Sequence, residues 1–426
     1  MKNIDIKKVV IVVVLACFFL PVKAQFIFSS NSSKLCGTWH GDLDAGMMKL
    51  PIVLHFTEAD NGSMACTMDS PNQGAKGLMT SLITFPADSF EISISKLNMM
   101  YAARLKNDTI KGVFHQNGMN LPLVLTRGDY MPRRPQEPVK PYPYQTEEVT
   151  FSNADKATLA GTLTYPIGYN AGEDVPVVLL VSGSGLQNRD EELMGHKPFL
   201  VIADYLARHG IASLRYDDRG FGASTGDATK ATTADFAEDA ASGLAFLRAR
   251  GFTKIGILGH SEGASIAFML AGKGSGAKPD FVISLAGVGV KADTALCEQV
   301  NMINKLSGIN EVITTSQYRE RVKKLNNAWM NYFIDYDPTS ALKSMSCPIM
   351  AVNGTKDVQV VADLNLQAIQ RAVPCSDKNF FKQYDGCNHL FQKCTTGLPF
   401  EYGIIEQTIS DELLIDIVDW ITRICK

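Results

Sequence analysis

The chain has 426 residues, and its apolar content of 46% with 20% charged residues is that of a folded globular protein. This length exceeds one ordinary hydrophobic core, which predicts two domains. The formal net charge of −3 and the absence of a long basic run argue against a nucleic-acid-binding protein, so the expected partner is a small molecule.

The first residues have the pattern of an export signal. Three lysines within the first eight residues precede an apolar run over residues 9–20, which predicts a signal peptide over residues 1–24 with cleavage before Gln25. The run is short for a membrane span, so we expect no stable membrane insertion after its removal. A retained signal anchor and a lipoprotein attached through Cys17 are the alternatives. The pattern favours a secreted or periplasmic protein.

Residues 25–127 show hydrophobic alternation with a period of two. The clearest runs are 52–56, 90–94 and 121–125, and the Asn117-Gly118 pair marks a turn between two of them. This predicts a smaller amino-terminal all-β domain of about eight short antiparallel strands, either a β-sandwich or a small barrel. Residues 128–145 then carry five prolines, a spacing that blocks helix and sheet and predicts an extended linker.

From residue 146 to 426, apolar strands alternate with amphipathic helices. This order predicts an α/β domain with a mostly parallel sheet flanked by helices on both faces. The predicted strands are 177–181, 211–216, 254–258, 281–285, 349–352 and 380–384. About sixty residues separate the strands at 281–285 and 349–352, more than one crossover helix requires. We therefore expect a helical cap insertion at about 290–345, with a surface ornament as the alternative.

Two segments match the G-x-S-x-G pattern of a nucleophile elbow, residues 222–226 (GASTG) and 259–263 (GHSEG). The elbow requires a strand before the serine and a helix after it, because the sharp turn between them exposes the hydroxyl. Ser261 has both in its sequence context, whereas Ser224 lies in a polar glycine loop. We therefore take Ser261 as the candidate catalytic nucleophile.

A serine hydroxyl needs a general base, and a third residue must orient that base. In this class of fold the order along the chain is serine, acid, histidine. Among the histidines, His389 alone lies beyond the elbow, shortly after the predicted strand 380–384. Asp357 follows the strand 349–352 and is the preferred acid, and the other candidates are Asp385, Asp335 and Asp337.

The negative charge that develops on a substrate carbonyl requires two N–H donors. One is expected to be the backbone amide of Glu262, directly after the nucleophile. The other is expected in the glycine-rich loop after strand 177–181, at the amide of Ser184, with Gly185 as the alternative. A phosphate-binding loop is the competing interpretation, but the Lys-Ser/Thr pair of a P-loop is missing.

These motifs resemble those of the α/β-hydrolase superfamily and, across residues 146–426, its secreted bacterial serine esterases. Residues 183–191 (GSGLQNRDE) are similar to the GSGPxDRDE loop of the esterase D-like branch, which is related to the prolyl oligopeptidases, and residues 216–220 (YDDRG) and 259–263 also match. Leu186 stands where proline is common, and Ala264 where a further glycine is common. The resemblance implies Ser261 as nucleophile, Asp357 as acid and His389 as base.

The leading interpretation is a secreted serine hydrolase that cleaves small carboxylic esters through an acyl-enzyme, without a cofactor. The alternatives are a serine peptidase of the prolyl-oligopeptidase type, a thioesterase or acyl transferase, and a catalytically silent binding protein on the same scaffold. Cys387 and Cys394 flank His389 and could brace its loop through a disulfide. No metal site is expected, because neither HExxH nor paired CxxC motifs occur.

Overall fold

The computed structural model describes residues 32–44, 46, 49–58, 63–73, 75–85, 88–131, 133–272, 278–325 and 327–426. The predicted signal peptide, with Cys17 and the cleavage site at Gln25, lies outside the described residues. The chain forms two compact units: the first runs up to Arg133 and includes Tyr402–Glu406, and the second comprises Arg134–Glu401 and Gln407–Lys426. No pattern in the sequence predicts that the short segment 402–406 belongs to the first unit.

The first unit is one antiparallel sheet with the order β4-β3-β2-β1-β9-β8-β7-β6-β5. Its nine described strands are β1 (Gly37–Asp44), β2 (Lys49–Glu58), β3 (Met64–Ser70), β4 (Ala75–Met79), β5 (Ser81–Phe85), β6 (Ser89–Ile94), β7 (Met99–Lys106), β8 (Thr109–Gln116) and β9 (Met119–Arg127). Most neighbours in the sheet are also neighbours in the chain, because short turns join successive antiparallel strands. The separate all-β domain expected from the sequence is confirmed.

One face of this sheet carries the hydrophobic core of the first unit. Along β7 the residues alternate between buried and more exposed positions, as the period of two predicts for a strand with one face toward the core. Trp39 of β1 is fully buried, its indole N–H donates to the carbonyl of Leu35 across 2.8 Å, and the guanidinium of Arg127 lies 4.2 Å from its ring centroid. This tryptophan is therefore a core residue.

The second unit contains an eight-stranded sheet with the order β10-β11-β13-β12-β14-β15-β16-β17. Its strands are β10 (Thr146–Ser152), β11 (Thr158–Thr164), β12 (Val177–Val181), β13 (Ala212–Tyr216), β14 (Ile255–His260), β15 (Phe281–Leu285), β16 (Ile349–Gly354) and β17 (Phe380–Tyr384). The strands from β13 to β17 pair in parallel, whereas β11 is antiparallel to both β10 and β13. This is the expected mostly parallel sheet.

Helices cover both faces of the second sheet. They are α1 (Pro198–Arg208), α2 (Thr233–Ala249), α3 (Glu262–Gly272), α8 (Ala362–Ala372) and α9 (Asp411–Ile424). Successive residues of β12 belong to two separate hydrophobic cores on opposite faces of the sheet. Leu179 belongs to the core that includes α2, α3 and α8, and Leu180 belongs to the core that includes α1 and α9. Because both faces are covered, the parallel strands β12, β14, β15 and β16 are buried along their whole length.

Between β15 and β16 the described residues form four helices rather than one crossover helix. They are α4 (Ala292–Leu306), α5 (Thr315–Lys323), α6 (Ala328–Phe333) and α7 (Thr339–Lys343). Asn327 marks the start of α6, because its side chain accepts the backbone N–H of Met330 and caps that helix. By contrast, residues 128–145 contain no helix or strand within their described positions.

Candidate active site

Ser261 occupies the turn between β14 and α3. Its φ angle is 54°, in the left-handed region that non-glycine residues adopt only when the surrounding structure imposes it. Here the amide of Ser261 donates to the carbonyl of Leu285 across 2.8 Å, and its carbonyl accepts the amide of Ala264 across 3.1 Å. The serine is therefore held at the carboxyl end of a central strand, in the conformation of a nucleophile elbow.

The two glycines of the elbow are required by space. A Cβ atom at Gly259 would lie 2.1 Å from the backbone of Gly263. A Cβ atom at Gly263 would lie 2.1 Å from the carbonyl oxygen of Val181. Both contacts are with backbone atoms that cannot move aside, so no larger residue fits where α3 begins against β14 and β12.

Ser224, the serine of the second G-x-S-x-G segment, has a different environment. Its hydroxyl donates to the carbonyl of Asp217 across 2.7 Å and accepts the amide of Ala160 across 2.9 Å. The side chain is buried in the loop that follows β13. Its hydroxyl is thus used to join that loop to β11, and this serine has a structural role.

Asp357 and His389 meet through a short hydrogen bond. Oδ2 of Asp357 lies 2.8 Å from Nδ1 of His389, and both residues are buried. The other carboxylate oxygen accepts the amides of Gln359 and Val360 at 2.8 and 2.9 Å. Because a carboxylate can only accept, Nδ1 of the histidine carries the proton and Nε2 is left as an acceptor.

The alternative acids are committed elsewhere. Asp385 is exposed and lies within 3.3 Å of the hydroxyl of Thr355. Asp335 forms an ion pair with Arg319, and Asp337 accepts a backbone N–H at the start of α7. Of the four carboxylates considered from the sequence, Asp357 is the one bonded to the histidine.

The loop after β12 passes directly beside the elbow. A Cβ atom at Gly183 would lie 3.3 Å from Cβ of Ser261, so a residue without a side chain permits this approach. The amide of Gly183 donates to Glu191 across 2.8 Å. Among the described residues, the amides of Ser184 and Glu262 donate to no protein acceptor. The amide of Gly185, the alternative donor in the same loop, also donates to no protein acceptor within the described part of the chain, so it stays a candidate beside Ser184.

Two aspartates after β13 anchor this loop. Asp218 accepts the amide of Gln187 at 2.8 Å and the hydroxyl of Ser182 at 3.2 Å, and its burial raises the pKa of its carboxyl to about 7. Burial also acts to raise the pKa of Asp217, but hydrogen bonds from the backbone and guanidinium of Arg189 outweigh it, so the net shift is downward. The loop is therefore tied to the sheet at several points.

The side chain of Glu262 is buried beneath the inserted helices. Its Oε1 accepts the hydroxyl of Thr233 at 2.6 Å and the indole N–H of Trp329, on α6, at 2.7 Å. Burial raises the pKa of this carboxyl in spite of these donors. The insertion thus contacts the residue that follows Ser261, which supports its description as a cap over the site.

Sequence reasoning missed the side chains that hold the histidine loop. Oδ1 of Asn388 accepts the amides of Leu390 and Gln392, each at 3.0 Å, and so fixes the turn that contains His389. The ring of His260 lies 4.6 Å from the ring of His389, centroid to centroid. Position in the sequence could have identified both residues, because Asn388 directly precedes His389 and His260 directly precedes Ser261.

Within the described part of the chain, no group of three or more histidine, cysteine, aspartate or glutamate side chains is arranged to hold a metal ion. Cys387 and Cys394 are free thiols, as are the other six described cysteines. None of the described helices combines the length and apolarity needed to cross a bilayer.

The strand order of the second sheet, with a serine turn after β14, an aspartate after β16 and a histidine after β17, is that of the α/β-hydrolase fold. The family model described as serine aminopeptidase, S33, matches residues 197–332. Esterase EstD of Thermotoga maritima is 26% identical over 291 residues, which is 65% of this chain and 68% of that relative.

Two solved structures are among those to which the chain is similar. An esterase of Pyrococcus furiosus is 15% identical with a TM-score of 0.45, and the match covers 69% of this chain and 99% of that one. Est1E of Butyrivibrio proteoclasticus, solved with ferulic acid bound, is 14% identical with a TM-score of 0.45, over 65% of this chain and 98% of the other.

Proposed function

We propose that this protein hydrolyses carboxylic esters of small molecules through an acyl-enzyme at Ser261. The observation that carries the proposal is the hydrogen bond between Asp357 and His389, 2.8 Å long. Ser261 is held at a φ of 54° in an elbow, and the ring of His260, the residue before it, lies 4.6 Å from the ring of His389, centroid to centroid. The relative described as an esterase supports esters as the substrate class.

The protonation of His389 gives the direction of proton transfer. Its Nδ1 proton is held by Asp357, so Nε2 accepts the hydroxyl proton of Ser261 while Oγ attacks the ester carbonyl carbon. The carbonyl oxygen becomes an oxyanion and accepts hydrogen bonds from the amides of Ser184 and Glu262, which keep their protons. Nε2 then gives its proton to the alkoxide, the C–O bond breaks, and the alcohol leaves.

The second half of the cycle repeats these roles with water. His389 takes a proton from a water molecule as its oxygen attacks the acyl carbon, and the same two amides stabilise the second oxyanion. The proton returns to Oγ of Ser261 as the acyl bond breaks, and a carboxylic acid is released. Every proton and electron pair is accounted for by these groups, so this reaction uses no cofactor.

A substrate panel with an active-site variant tests the proposal. The wild type should hydrolyse p-nitrophenyl esters within a series from acetate to long-chain acyl groups, with feruloyl esters and acetylated sugars included. Ser261→Ala should lower kcat by roughly a millionfold, whereas Ser224→Ala should retain activity. Ester hydrolysis by Ser261→Ala within about tenfold of wild type would overturn the proposal.

Peptide bond cleavage is the second candidate function, favoured by the match to the serine aminopeptidase model over residues 197–332. The same serine, base and acid serve amides and esters alike. Comparison of kcat/KM for acyl esters with that for aminoacyl p-nitroanilides separates the two functions. A higher value for the amides would replace esterase by peptidase as the activity.

Export is part of the proposal and is supported by the leader pattern of residues 1–24. Expression of the full chain in a bacterial host, followed by amino-terminal sequencing of the periplasmic fraction, should give a mature protein that begins at Gln25. An intact leader on a membrane-bound product would instead indicate a retained anchor.

A further inference from the structure

A buried acid–base pair lies beside the proposed catalytic residues without taking part in the steps described for them. Oε1 of Glu191 lies 2.9 Å from Nδ1 of His260, and Nε2 of His260 lies 3.0 Å from the backbone carbonyl oxygen of His389. The same Oε1 accepts the amide of Gly183 at 2.8 Å. Glu191 and His260 are only 3% and 6% exposed, so water does not replace these bonds.

The partners determine the protonation of His260. A carbonyl oxygen can only accept, so Nε2 of His260 carries a proton toward His389. A glutamate oxygen that already accepts an amide proton also accepts from Nδ1, which requires a second proton on the ring. This hydrogen-bond geometry fits a doubly protonated His260 between Glu191 and the carbonyl of His389. Burial alone would lower the pKa of His260, but Glu191 outweighs it and the pKa is raised.

The position of the pair connects three parts of the proposed catalytic apparatus. Glu191 holds Gly183, which precedes the proposed oxyanion donor Ser184. His260 precedes Ser261 and forms part of β14. Its Nε2 proton holds the main chain of His389, whose side chain is fixed from the other side by Asp357. One carboxylate thus links the oxyanion loop to the base through the residue before the nucleophile.

We propose that Glu191 and His260 are positioning residues that hold the oxyanion loop and the base loop in register with Ser261. The inference rests on the proposed role of Ser261 as nucleophile, but not on the choice of ester as substrate. Neither side chain touches the reacting atoms in the mechanism above. Their loss should therefore slow the chemical step, which depends sensitively on alignment, more than it weakens substrate binding.

Two substitutions at Glu191 distinguish the effect of its hydrogen bonds from the effect of its charge. Glu191→Gln keeps an oxygen that can accept from Gly183 but removes the charge that keeps His260 doubly protonated, and kcat should fall about tenfold. Glu191→Ala removes both bonds, and kcat should fall about a hundredfold. KM should stay within about threefold in each variant. Glu192→Gln, an exposed neighbour, is the matched control and should resemble wild type.

The charge of His260 can be followed through the pH dependence of reactivity. Three groups face His260: Glu191 from the oxyanion loop, Asp357 from the loop after β16 and His389 from the loop after β17. Asp218 in turn lies close enough to Glu191 for the two charges to interact. Because Glu191 raises the pKa of His260, reactivity that depends on the imidazolium is lost only as the pH rises through that raised value. In Glu191→Gln the loss should begin at lower pH.

The rate at which a fluorophosphonate modifies Ser261, measured from pH 5 to 10 on the full chain, tests this inference without an ester substrate. We expect the alkaline loss of rate to move to lower pH in Glu191→Gln, and to stay in place in the control His209→Gln, an exposed histidine at the end of α1. Wild type that reacts with the probe but cleaves no ester would overturn the proposed substrate class and leave this inference standing.

The protonation of His260 is also measurable without any variant. In protein labelled with ¹⁵N-histidine, both ring nitrogens of His260 should carry protons at neutral pH, and the Glu191→Gln variant should lose one of them. A singly protonated His260 in wild type would overturn the inference. So would folded Glu191 variants whose kcat and pH profile equal those of wild type.

Discussion

The indole N–H of Trp329 donates to the carboxylate of Glu262 across 2.7 Å, so a helix of the insertion contacts the residue directly after Ser261. Thr233, at the start of α2, donates to the same oxygen across 2.6 Å. The backbone amide of Glu262 is one of the two proposed oxyanion donors. Glu262 thus contacts the cap through its side chain, while its backbone amide is proposed to stabilise the oxyanion.

Trp329→Phe should therefore affect both stability and turnover. The buried carboxylate loses one donor, which should lower the free energy of unfolding by about 1–3 kcal/mol, and kcat/KM should fall roughly tenfold as the amide of Glu262 shifts. Chemical denaturation and steady-state kinetics measure the two effects. Tyr332→Phe, on the exposed side of the same helix, should change neither. A Trp329→Phe variant with wild-type values would show that this contact is dispensable.

Asp357→Asn should remove most activity and leave the fold intact. An asparagine oxygen can still accept the amides of Gln359 and Val360, but the side chain no longer fixes the proton of His389 on Nδ1 by charge. We expect kcat to fall roughly ten-thousandfold with little change in melting temperature. The exposed Asp385→Asn is the matched control, and equal losses in the two variants would contradict the assignment of the acid.

Ser224→Ala should lower stability and leave turnover nearly unchanged, the reverse of the effect expected for a change at the nucleophile Ser261. The hydroxyl makes two buried hydrogen bonds, and its removal leaves the amide of Ala160 without an acceptor. The free energy of unfolding should fall by about 1–3 kcal/mol, while kcat of the folded protein stays within about twofold of wild type. Greatly reduced turnover in folded Ser224→Ala would reopen the choice between the two motifs.

The raised pKa of Asp218, about 7, gives a pH dependence of stability with a definite sign. A carboxyl whose pKa is higher in the folded state contributes stability below its unfolded value near 4, and this contribution is lost as the pH rises toward 7. Asp218→Asn should therefore reduce the decline in unfolding free energy between about pH 4 and 7. Urea denaturation at several pH values measures the unfolding free energy of this variant, of wild type and of the exposed Asp377→Asn, which serves as the control.

The parallel strands of the second unit were predictable because burial on both faces makes them continuous apolar runs, as in β12 and β15. By contrast, β10 and β11 were not predicted. Thr146–Ser152 and Thr158–Thr164 are rich in threonine, and β10 alternates between exposed and buried positions. Their place in the sheet is set by antiparallel pairing with each other and with β13, which a single segment does not reveal.

At the site, the order of residues along the chain and the position after each strand were enough to select Ser261, Asp357 and His389 as candidates. The pair of Glu191 and His260 was missed because its members are 69 residues apart in sequence and meet only when the loop after β12 folds against the end of β14. The side chain of Glu262 was overlooked for a similar reason, since its partner Trp329 lies in the insertion.

The assignment of Ser261 as the nucleophile is tested by identifying the residue that a covalent serine-hydrolase inhibitor modifies. Native protein is incubated with a fluorophosphonate, digested, and mapped by mass spectrometry, with Ser261→Ala and Ser224→Ala in parallel. We expect one adduct on Ser261 in wild type and in Ser224→Ala, and none in folded Ser261→Ala. An adduct on another residue, or a folded wild type whose Ser261 stays unmodified, would contradict it.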